Sequence, residues 1–510
     1  MHSLNDKKRS FLNISISVFT KVILLVLAFI VRRILIQQLG NEYNGINSLF
    51  LSILGILSIA ELGIGTAITF CMYKPIVEGD NEKVSALFVL MKRVYLVIAG
   101  TILVLGIIVS FFLPFLAKEY TVETKELYFY FYLFLLSSVL SYFSGAKSAL
   151  ICAYKNNFVA TLIYSFSMMV QYVLQIISII LFKSFYLYLI SKSIFDLVQY
   201  IVLSIYCRKK YYHLFTIKSK LDDETKKDVK KNIGALFLHQ ITANVFSSVD
   251  SLVISSMFGL IILGKYSNYF LIMNSMNEIL KLFFTSMTSI IGQYMIKKSK
   301  DEVHSLYSLF NNLNIVLGFI FYLGFFAVSD DLIMIFFGED LLLDRGLLML
   351  VTVTYFTQFL RQACANFKDA AGLFYRDRFI VLAAAILNII LSIVFALVFG
   401  IYGVIIATFV LILTIYLPVD SFLFHNYQLD RKCYKDILYK LIVIGIFTGA
   451  VFLMNFWTYS NDNVYLEFLA NGFISVGISL TIVIIIQAFS LKKSIATLKN
   501  IGFRRRHENE

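Results

Sequence analysis

The chain is poor in proline, tryptophan and charge. It has three prolines and one tryptophan in 510 residues, and 15% of its residues are charged, against about 25% in an ordinary soluble domain. So little charge excludes a soluble globular protein, and so little proline leaves charge and glycine to mark the helix ends. The cysteines show neither metal-ligand spacing nor a disulfide framework, so we expect no metal and no cofactor. They are Cys71, Cys152, Cys207, Cys364 and Cys433.

Hydrophobic residues are abundant instead, at 59% of the chain with a mean hydropathy of +0.79. A membrane span needs roughly 20 mainly apolar residues, so the chain has room for a dozen or more. The first apolar block is too long for a cleavable signal peptide and contains Lys21 and Arg32, so we expect it to remain as a span. The composition predicts an all-α, multi-pass integral membrane protein.

Apolar runs predict about 14 transmembrane helices with both termini cytoplasmic. With the chain starting inside, 33 of the 45 Lys and Arg residues fall at the inner face, five at the outer face and seven within spans. This asymmetry is the one that orients bacterial inner-membrane proteins. The predicted spans are 12–38, 46–72, 88–115, 127–152, 158–182, 185–207, 234–258, 264–296, 304–328, 346–371, 379–398, 401–424, 437–456 and 465–489.

The halves of the chain show a weak repeat. Gly40-x4-Gly45-x2-Ser48-x-Phe50 recurs as Gly259-x4-Gly264-x2-Ser267-x-Tyr269, and the spans on either side of the basic loop begin on the same side of the membrane. We therefore predict two pseudo-symmetric six-helix lobes followed by an extra helix pair. The expected divisions are an N-lobe at 1–207, a basic cytoplasmic loop at 208–233, a C-lobe at 234–424, the extra pair at 425–490 and a basic tail at 491–510.

Ionisable side chains inside the predicted spans mark the candidate site, because charge facing lipid is costly. Seven are basic and four acidic. They are Lys21, Arg32, Arg33, Glu61, Lys147, Lys192, Asp196, Asp250, Glu278, Lys281 and Arg361. Lys21 and Arg32 are eleven residues apart and share a helix face, and Glu278 and Lys281 share another. Glu61 and Arg361 have no charged partner close in sequence, which makes them the strongest candidates.

Each candidate also has a purely structural interpretation. Arg32 and Arg33 lie near the end of a span, where their side chains can reach the membrane surface. Glu278 and Lys281 can pair on their own helix, although such a pair must still face protein or water. The excess positive charge is explained by membrane orientation and by contact with anionic headgroups, so we expect no nucleic acid as a partner.

No catalytic constellation is apparent, since the chain has no phosphate-binding glycine loop, no metal-ligand cluster and no specific nucleophile–base pair. We therefore expect a transporter and not an enzyme. The surplus of bases in the spans favours an anionic cargo, because Arg and Lys stabilise phosphate in a medium of low dielectric constant. On this basis Arg32, Arg33, Lys281 and Arg361 are predicted to hold an anionic headgroup, and the resulting cavity is expected to be polar.

The pattern R-x6-LG-x-x-Y-x-G from Arg32 to Gly45, followed by AELGIG at 60–65, resembles the opening of bacterial polysaccharide-export flippases of the Wzx type. These belong to the multidrug/oligosaccharidyl-lipid/polysaccharide exporter superfamily, which also contains the MATE exporters. The resemblance implies a MATE-like fold in the bacterial cytoplasmic membrane and an undecaprenyl-pyrophosphate-linked oligosaccharide repeat unit as cargo, for capsule, exopolysaccharide or O-antigen synthesis. It also implies alternating access, with Glu61, Asp250 and Glu278 as the acids of ion coupling or of the polar cavity.

The expected partners are the lipid-linked oligosaccharide, membrane lipids, a polysaccharide polymerase and glycosyltransferases. Three alternatives stay open. A MATE-type antiporter of drugs or cations predicts a net acidic cavity. A peptidoglycan lipid flippase is a closer relative of the favoured function. A non-transporting scaffold of a polysaccharide assembly complex predicts dispensable cavity charges.

Overall fold

The computed structural model describes residues 2–61, 64–217, 248–373, 376–456 and 463–487. Beyond residue 217, the predicted basic loop lies outside these ranges, as does the predicted tail. The described residues are almost entirely helical and contain no strand. The helices are α1 His2–Leu39, α2 Asn41–Leu57, α3 Ile64–Glu78, α4 Asn81–Ser110, α5 Leu113–Leu116, α6 Thr124–Ala153, α7 Asn157–Phe182, α8 Phe185–Lys210, α9 Tyr212–Thr216, α10 Ser248–Phe258, α11 Leu260–Ser286, α12 Thr288–Lys297, α13 Lys300–Gly318, α14 Gly324–Phe336, α15 Arg345–Leu360, α16 Gln362–Ala370, α17 Arg378–Phe399, α18 Ile401–Leu411, α19 Leu417–Leu423, α20 Tyr434–Met454 and α21 Val464–Gln487.

Within the described ranges, the predicted spans coincide with helices or runs of consecutive helices, which confirms the all-α membrane architecture; residues 234–247 of the seventh predicted span lie outside those ranges. Across the described residues, nine helices are long and apolar enough to cross a membrane by themselves. Several other spans are interrupted. The second predicted span is divided into α2 and α3 after a 3₁₀ turn at Ser58–Glu61, and the tenth is divided into α15 and α16 at Arg361.

Two further spans contain π-helical turns. One at Phe319–Leu323 joins α13 to α14, and another at Ile412–Tyr416 joins α18 to α19. A third turn, Phe424–Gln428, continues α19. Such turns offset the side chains that follow them and are common near functional sites. The turns at Ile412–Tyr416 and Phe424–Gln428 flank the short helix α19, which contains Asp420.

The chain divides into two compact units, Met1–Ser267 and Asn268–Glu510. This division falls inside α11, later than the end of the N-lobe predicted at residue 207. Within the first unit, α6 packs against α4 and α8, and α1 packs against α7. In the second unit, α14 packs against α21 and α17 against α18.

The first unit includes the start of α11 because the two repeated glycine motifs meet there. Gly40 before α2 and Gly259 before α11 both have positive φ angles, of 99° and 88°. At Gly45 a Cβ would lie 2.1 Å from the carbonyl oxygen of Leu260, and at Gly264 it would lie 2.5 Å from the Asn41 side chain. Only glycine therefore permits this approach of the two helices.

Side-chain amides complete the contact between the two motifs. Asn41 Nδ2 donates to the Ile261 carbonyl at 2.9 Å, and Asn44 Nδ2 donates to the Gly264 carbonyl at 3.0 Å. Asn44 also donates to Ser267 Oγ at 3.2 Å. We call this contact the glycine clasp. It adds side-chain hydrogen bonds to carbonyls in the first turns of α11 and is consistent with residues 248–267 belonging to the first unit.

Candidate functional site

Arg32 lies beside the glycine clasp. Its Nη1 donates to the backbone carbonyl of Ser267 at 2.6 Å, and its side chain is partly buried near the rings of Tyr172 and Tyr188. The neighbouring residue, Arg33, is exposed. The two adjacent arginines of α1 thus differ, because the Arg32 side chain is bonded to the protein and Arg33 lies on the surface of the first unit.

Glu61 lies at the end of the 3₁₀ turn that follows α2, and it is partly buried. The hydroxyls of Tyr95 on α4 and Tyr142 on α6 lie close to its carboxylate. Two glycines make room for Tyr95, because a Cβ at Gly65 would lie 2.3 Å from its hydroxyl and one at Gly145 would lie 2.7 Å from its ring. The fold thus brings together an acid and two phenols from three separate spans, an arrangement that can bind and release a proton.

The other predicted acids and the lysine lie on α10 and α11. Asp250 is buried on α10 in the first unit. Glu278 and Lys281 lie on α11 in the second unit, and both side chains are exposed. Of the predicted anion-binding residues, Arg32 and Arg33 therefore belong to the first unit, and Lys281 and Arg361 to the second.

Arg361 occupies the junction of α15 and α16, where its backbone keeps right-handed helical angles, φ −75° and ψ −15°. Its Nε donates to Asp420 Oδ2 at 2.8 Å, and its Nη1 donates to Gln358 Oε1 at 3.2 Å. The guanidinium group also lies over the ring of Tyr416, 4.8 Å from its centroid. The side chain is only 17% exposed. Arg361 is therefore held in a fixed orientation.

The carboxylate of Asp420 serves two cations. Besides Arg361, it accepts a hydrogen bond from Lys368 Nζ at 2.7 Å, and Lys368 also bonds to Asp377. The side chains of Asp420, Lys368 and Asp377 are 3%, 4% and 1% exposed. The positive charges of Arg361 and Lys368 are thus balanced by the negative charges of two aspartates, and buried ions are tolerated when they are paired in this way.

Asp420 was missing from the ionisable residues predicted to lie within spans, although it falls inside the span at 401–424. A complete count of acids in that segment would have identified it. Lys368 is also absent from those predicted residues, although it falls inside the span at 346–371 and is buried on α16. Its partners are 9 and 52 residues away, so its pairing is a property of the fold.

A second buried network lies nearby in the same unit. Asp436 accepts hydrogen bonds from Lys440 at 2.8 Å, Ser421 at 2.6 Å and Tyr307 at 2.7 Å. The atoms of Cys364, His425 and Asp436 that could ligate a metal ion lie within 4.8 Å of one another. The Lys440 ammonium group already neutralises the carboxylate, which opposes a metal cation there. We therefore assign these residues to the ion network.

Comparison of structures finds the same fold in known transporters. The lipid II flippase MurJ in an inward closed conformation superposes with a TM-score of 0.65 and 15% identity, covering 92% of this chain and 98% of that one. An inward-facing multidrug resistance MATE family transporter of the MOP superfamily has a TM-score of 0.55 and 15% identity, over 86% of this chain and 99% of that one. A MATE transporter from Vibrio cholerae has a TM-score of 0.54 and 17% identity, over 84% of this chain and 98% of that one. By sequence, no protein-family model and no curated protein matches the chain.

Proposed function

We propose that the chain is a flippase that moves an anionic, undecaprenyl-pyrophosphate-linked oligosaccharide repeat unit from the inner to the outer leaflet. Alternating access would drive the movement, with coupling to an ion gradient. The fold shared with a lipid II flippase over nearly the whole chain supports transport of a lipid-linked substrate. Transport of the oligosaccharide, and its use in capsule, exopolysaccharide or O-antigen synthesis, are our own inference.

The geometry of Arg361 carries the proposal. Asp420 and Gln358 bind Nε and Nη1, whereas within the described ranges no residue accepts a hydrogen bond from Nη2. A guanidinium group has five N–H donors in a rigid fork, so the remaining edge can bind a phosphate oxygen. In this proposal Arg361 acts with Arg32, Arg33 and Lys281 in holding the pyrophosphate.

Substitution of Arg361 by lysine tests this role. Arg361→Lys keeps a positive charge to face Asp420 but removes the guanidinium edge, so we expect folding to persist and export to fall at least tenfold, the loss of one charge-assisted hydrogen bond. Lys281→Ala should reduce export in the same way. Lys209→Ala, which removes an exposed base at the end of α8, is the control. Normal export by both the Arg361 and Lys281 variants would refute the assignment.

The identity of the cargo is tested by deleting the gene and extracting the lipids. Complete lipid-linked repeat units should accumulate on the cytoplasmic side. Accumulation of a peptidoglycan precursor would instead assign the chain to the function of its structural neighbour, the lipid II flippase.

A MATE-type antiporter of drugs or cations is the second candidate, and the shared fold favours it. Counting every residue within the predicted span bounds, the spans hold twelve bases against seven acids, so a surplus of bases remains. Overproduction of the chain should leave drug susceptibility unchanged if the cargo is a lipid-linked anion. Increased resistance to cationic drugs would favour the antiporter.

We propose that Glu61 takes part in ion coupling, together with Asp250 and Glu278. Two phenol hydroxyls lie close to the Glu61 carboxyl group, and a hydroxyl can donate to the carboxylate or accept from the protonated acid. In Glu61→Gln the amide keeps the size of the side chain but cannot titrate, so export should no longer respond to dissipation of the proton gradient. Tyr95→Phe is the matched variant, because it removes one of the two nearby hydroxyls and keeps the acid. An unaltered gradient response in Glu61→Gln would exclude this role.

A further inference from the structure

The second unit contains a cavity of about 700 Å³ that none of the proposed transport residues lines. Its walls are formed by α13, the π-helical turn Phe424–Gln428, the segment that follows that turn, and the two C-terminal helices α20 and α21. Gln487 on α21 donates to the Asn312 carbonyl on α13 at 2.8 Å, which fixes two of the walls against each other. We call this cavity the basal pocket. By the predicted topology it opens at the inner face of the membrane.

The basal pocket has a positive lining. Arg431, Lys432 and Lys435 contribute three cationic side chains, and Asp436 is the acid among the lining residues. The charge of Asp436 is matched by Lys440, and Arg431 is bonded to Asp301 at 2.6 Å. Lys432 and Lys435 are exposed side chains at the rim, so they remain to attract an anion.

Two polar atoms point to a ligand inside the pocket. The Asn311 side chain is 4% exposed, and its Oδ1 accepts no hydrogen bond from the described residues. The hydroxyl of Tyr439 is also buried, and it has no hydrogen-bond partner in the same part of the chain. A buried polar group without a hydrogen-bond partner is destabilising relative to one that is bonded. A ligand with a hydroxyl could donate a hydrogen bond to Asn311 Oδ1, and its phosphate oxygen could accept one from the Tyr439 hydroxyl.

The surface next to the pocket is apolar. From the pocket, α20 continues with exposed Tyr434, Leu438, Leu441 and Ile442, which follow one another at helical spacing on one face. On α21, Ile484 and Ile485 are 61% and 68% exposed. An acyl chain extending along these helices would cover apolar surface that a free phosphate compound leaves uncovered.

We propose that the basal pocket binds the headgroup of an anionic phospholipid of the inner leaflet. Lys432, Lys435 and the Tyr439 hydroxyl bind the phosphate, and Asn311 Oδ1 accepts a hydrogen bond from a headgroup hydroxyl. The acyl chains lie along α20 and α21. Basic pockets between helices at the cytoplasmic side are a known mode of phospholipid recognition. This site is separate from the transported substrate and does not depend on its identity.

Thermal unfolding of the purified full-length chain in mixed micelles tests the proposal. Phosphatidylglycerol should raise the unfolding temperature in a saturable way, and phosphatidylcholine at the same mole fraction should not. The double substitution Lys432→Ala with Lys435→Ala should weaken the apparent affinity for phosphatidylglycerol about thirtyfold, from the loss of two lysines near an anionic headgroup. Arg208→Ala with Lys209→Ala, two exposed bases at the end of α8, is the matched control and should bind as the unaltered chain does.

Tyr439→Phe provides a second test in case the double variant fails to fold, because it removes only the hydroxyl. We expect its affinity for phosphatidylglycerol to fall about tenfold, from the loss of one hydrogen bond to a charged group. Equal affinity in the pocket and control variants would refute the site. Equal stabilisation by phosphatidylcholine would do so too. Full stabilisation by inorganic phosphate alone would refute a lipid as the ligand and assign the site to a soluble phosphate compound.

Discussion

The shared carboxylate of Asp420 allows the most direct test of how the second unit is held together. Asp420→Asn keeps the shape of the side chain and removes its charge. Arg361 then loses its hydrogen-bonded carboxylate partner, while Lys368 keeps Asp377. Because Asp420 is 3% exposed and Arg361 17%, solvent replaces little of the lost interaction.

Breaking a buried ion pair by removing one partner costs about 3–5 kcal/mol, because the other charge remains buried. Lys368 retains one aspartate, so we expect the lower end, about 3 kcal/mol. The free energy of unfolding of the detergent-solubilised chain, from a denaturant titration, measures this loss. The control is Glu78→Gln, which removes the exposed partner of Lys74 at 3.8 Å and should cost less than about 1 kcal/mol.

A double-mutant cycle separates the ion pair from other effects of the substitution. Asp420→Asn combined with Arg361→Gln removes one charge of each sign and leaves Lys368 paired with Asp377. We expect the double variant to be more stable than the sum of the single losses predicts, by at least about 1 kcal/mol. Additive losses, or a loss in Asp420→Asn no greater than in Glu78→Gln, would refute the view that this network stabilises the unit.

Two further predictions concern helix ends. Gly45→Ala places a Cβ 2.1 Å from the Leu260 carbonyl oxygen, so the glycine clasp must open and the free energy of unfolding should fall by about 1–3 kcal/mol. Gly100→Ala is the control, because nothing lies within 4 Å of its Cβ, and it should raise the free energy of unfolding or leave it unchanged. Equal effects of the two substitutions would refute the glycine clasp. Asp344 caps α15, because its carboxylate accepts hydrogen bonds from the backbone N–H groups of Gly346 and Leu347. It also accepts a hydrogen bond from the Tyr402 hydroxyl, and that bond, more than the two cap bonds, lowers the pKa of the Asp344 carboxyl group. Because the folded pKa is depressed, this stabilisation is present above the unfolded pKa and disappears as the pH falls through the folded pKa. Asp344→Ala should therefore cost about 1 kcal/mol at pH 7, and the difference between the two proteins should shrink on acidification below about pH 4; a difference that does not change with pH would contradict it.

The helix positions were predictable because a span must hydrogen-bond its own backbone polar groups across a membrane of fixed thickness. A helix of that length with apolar side chains appears in the sequence as one continuous apolar run. The repeat of the glycine motif was also visible. It relates Gly40 and Gly45 to Gly259 and Gly264, and the structure gives it a physical meaning in the clasp. The breaks at Arg361 and at Ser58–Glu61 carry no such local signal.

The apolar runs were enough to predict helical spans and the residue types available for binding. The pairing of charges became visible only in the folded chain. Arg361 and Asp420 are separated by 59 residues, and Cys364, His425 and Asp436 come from three segments. Pairing of buried charges depends on distances of a few ångströms between helices, and no periodicity within one helix encodes those distances.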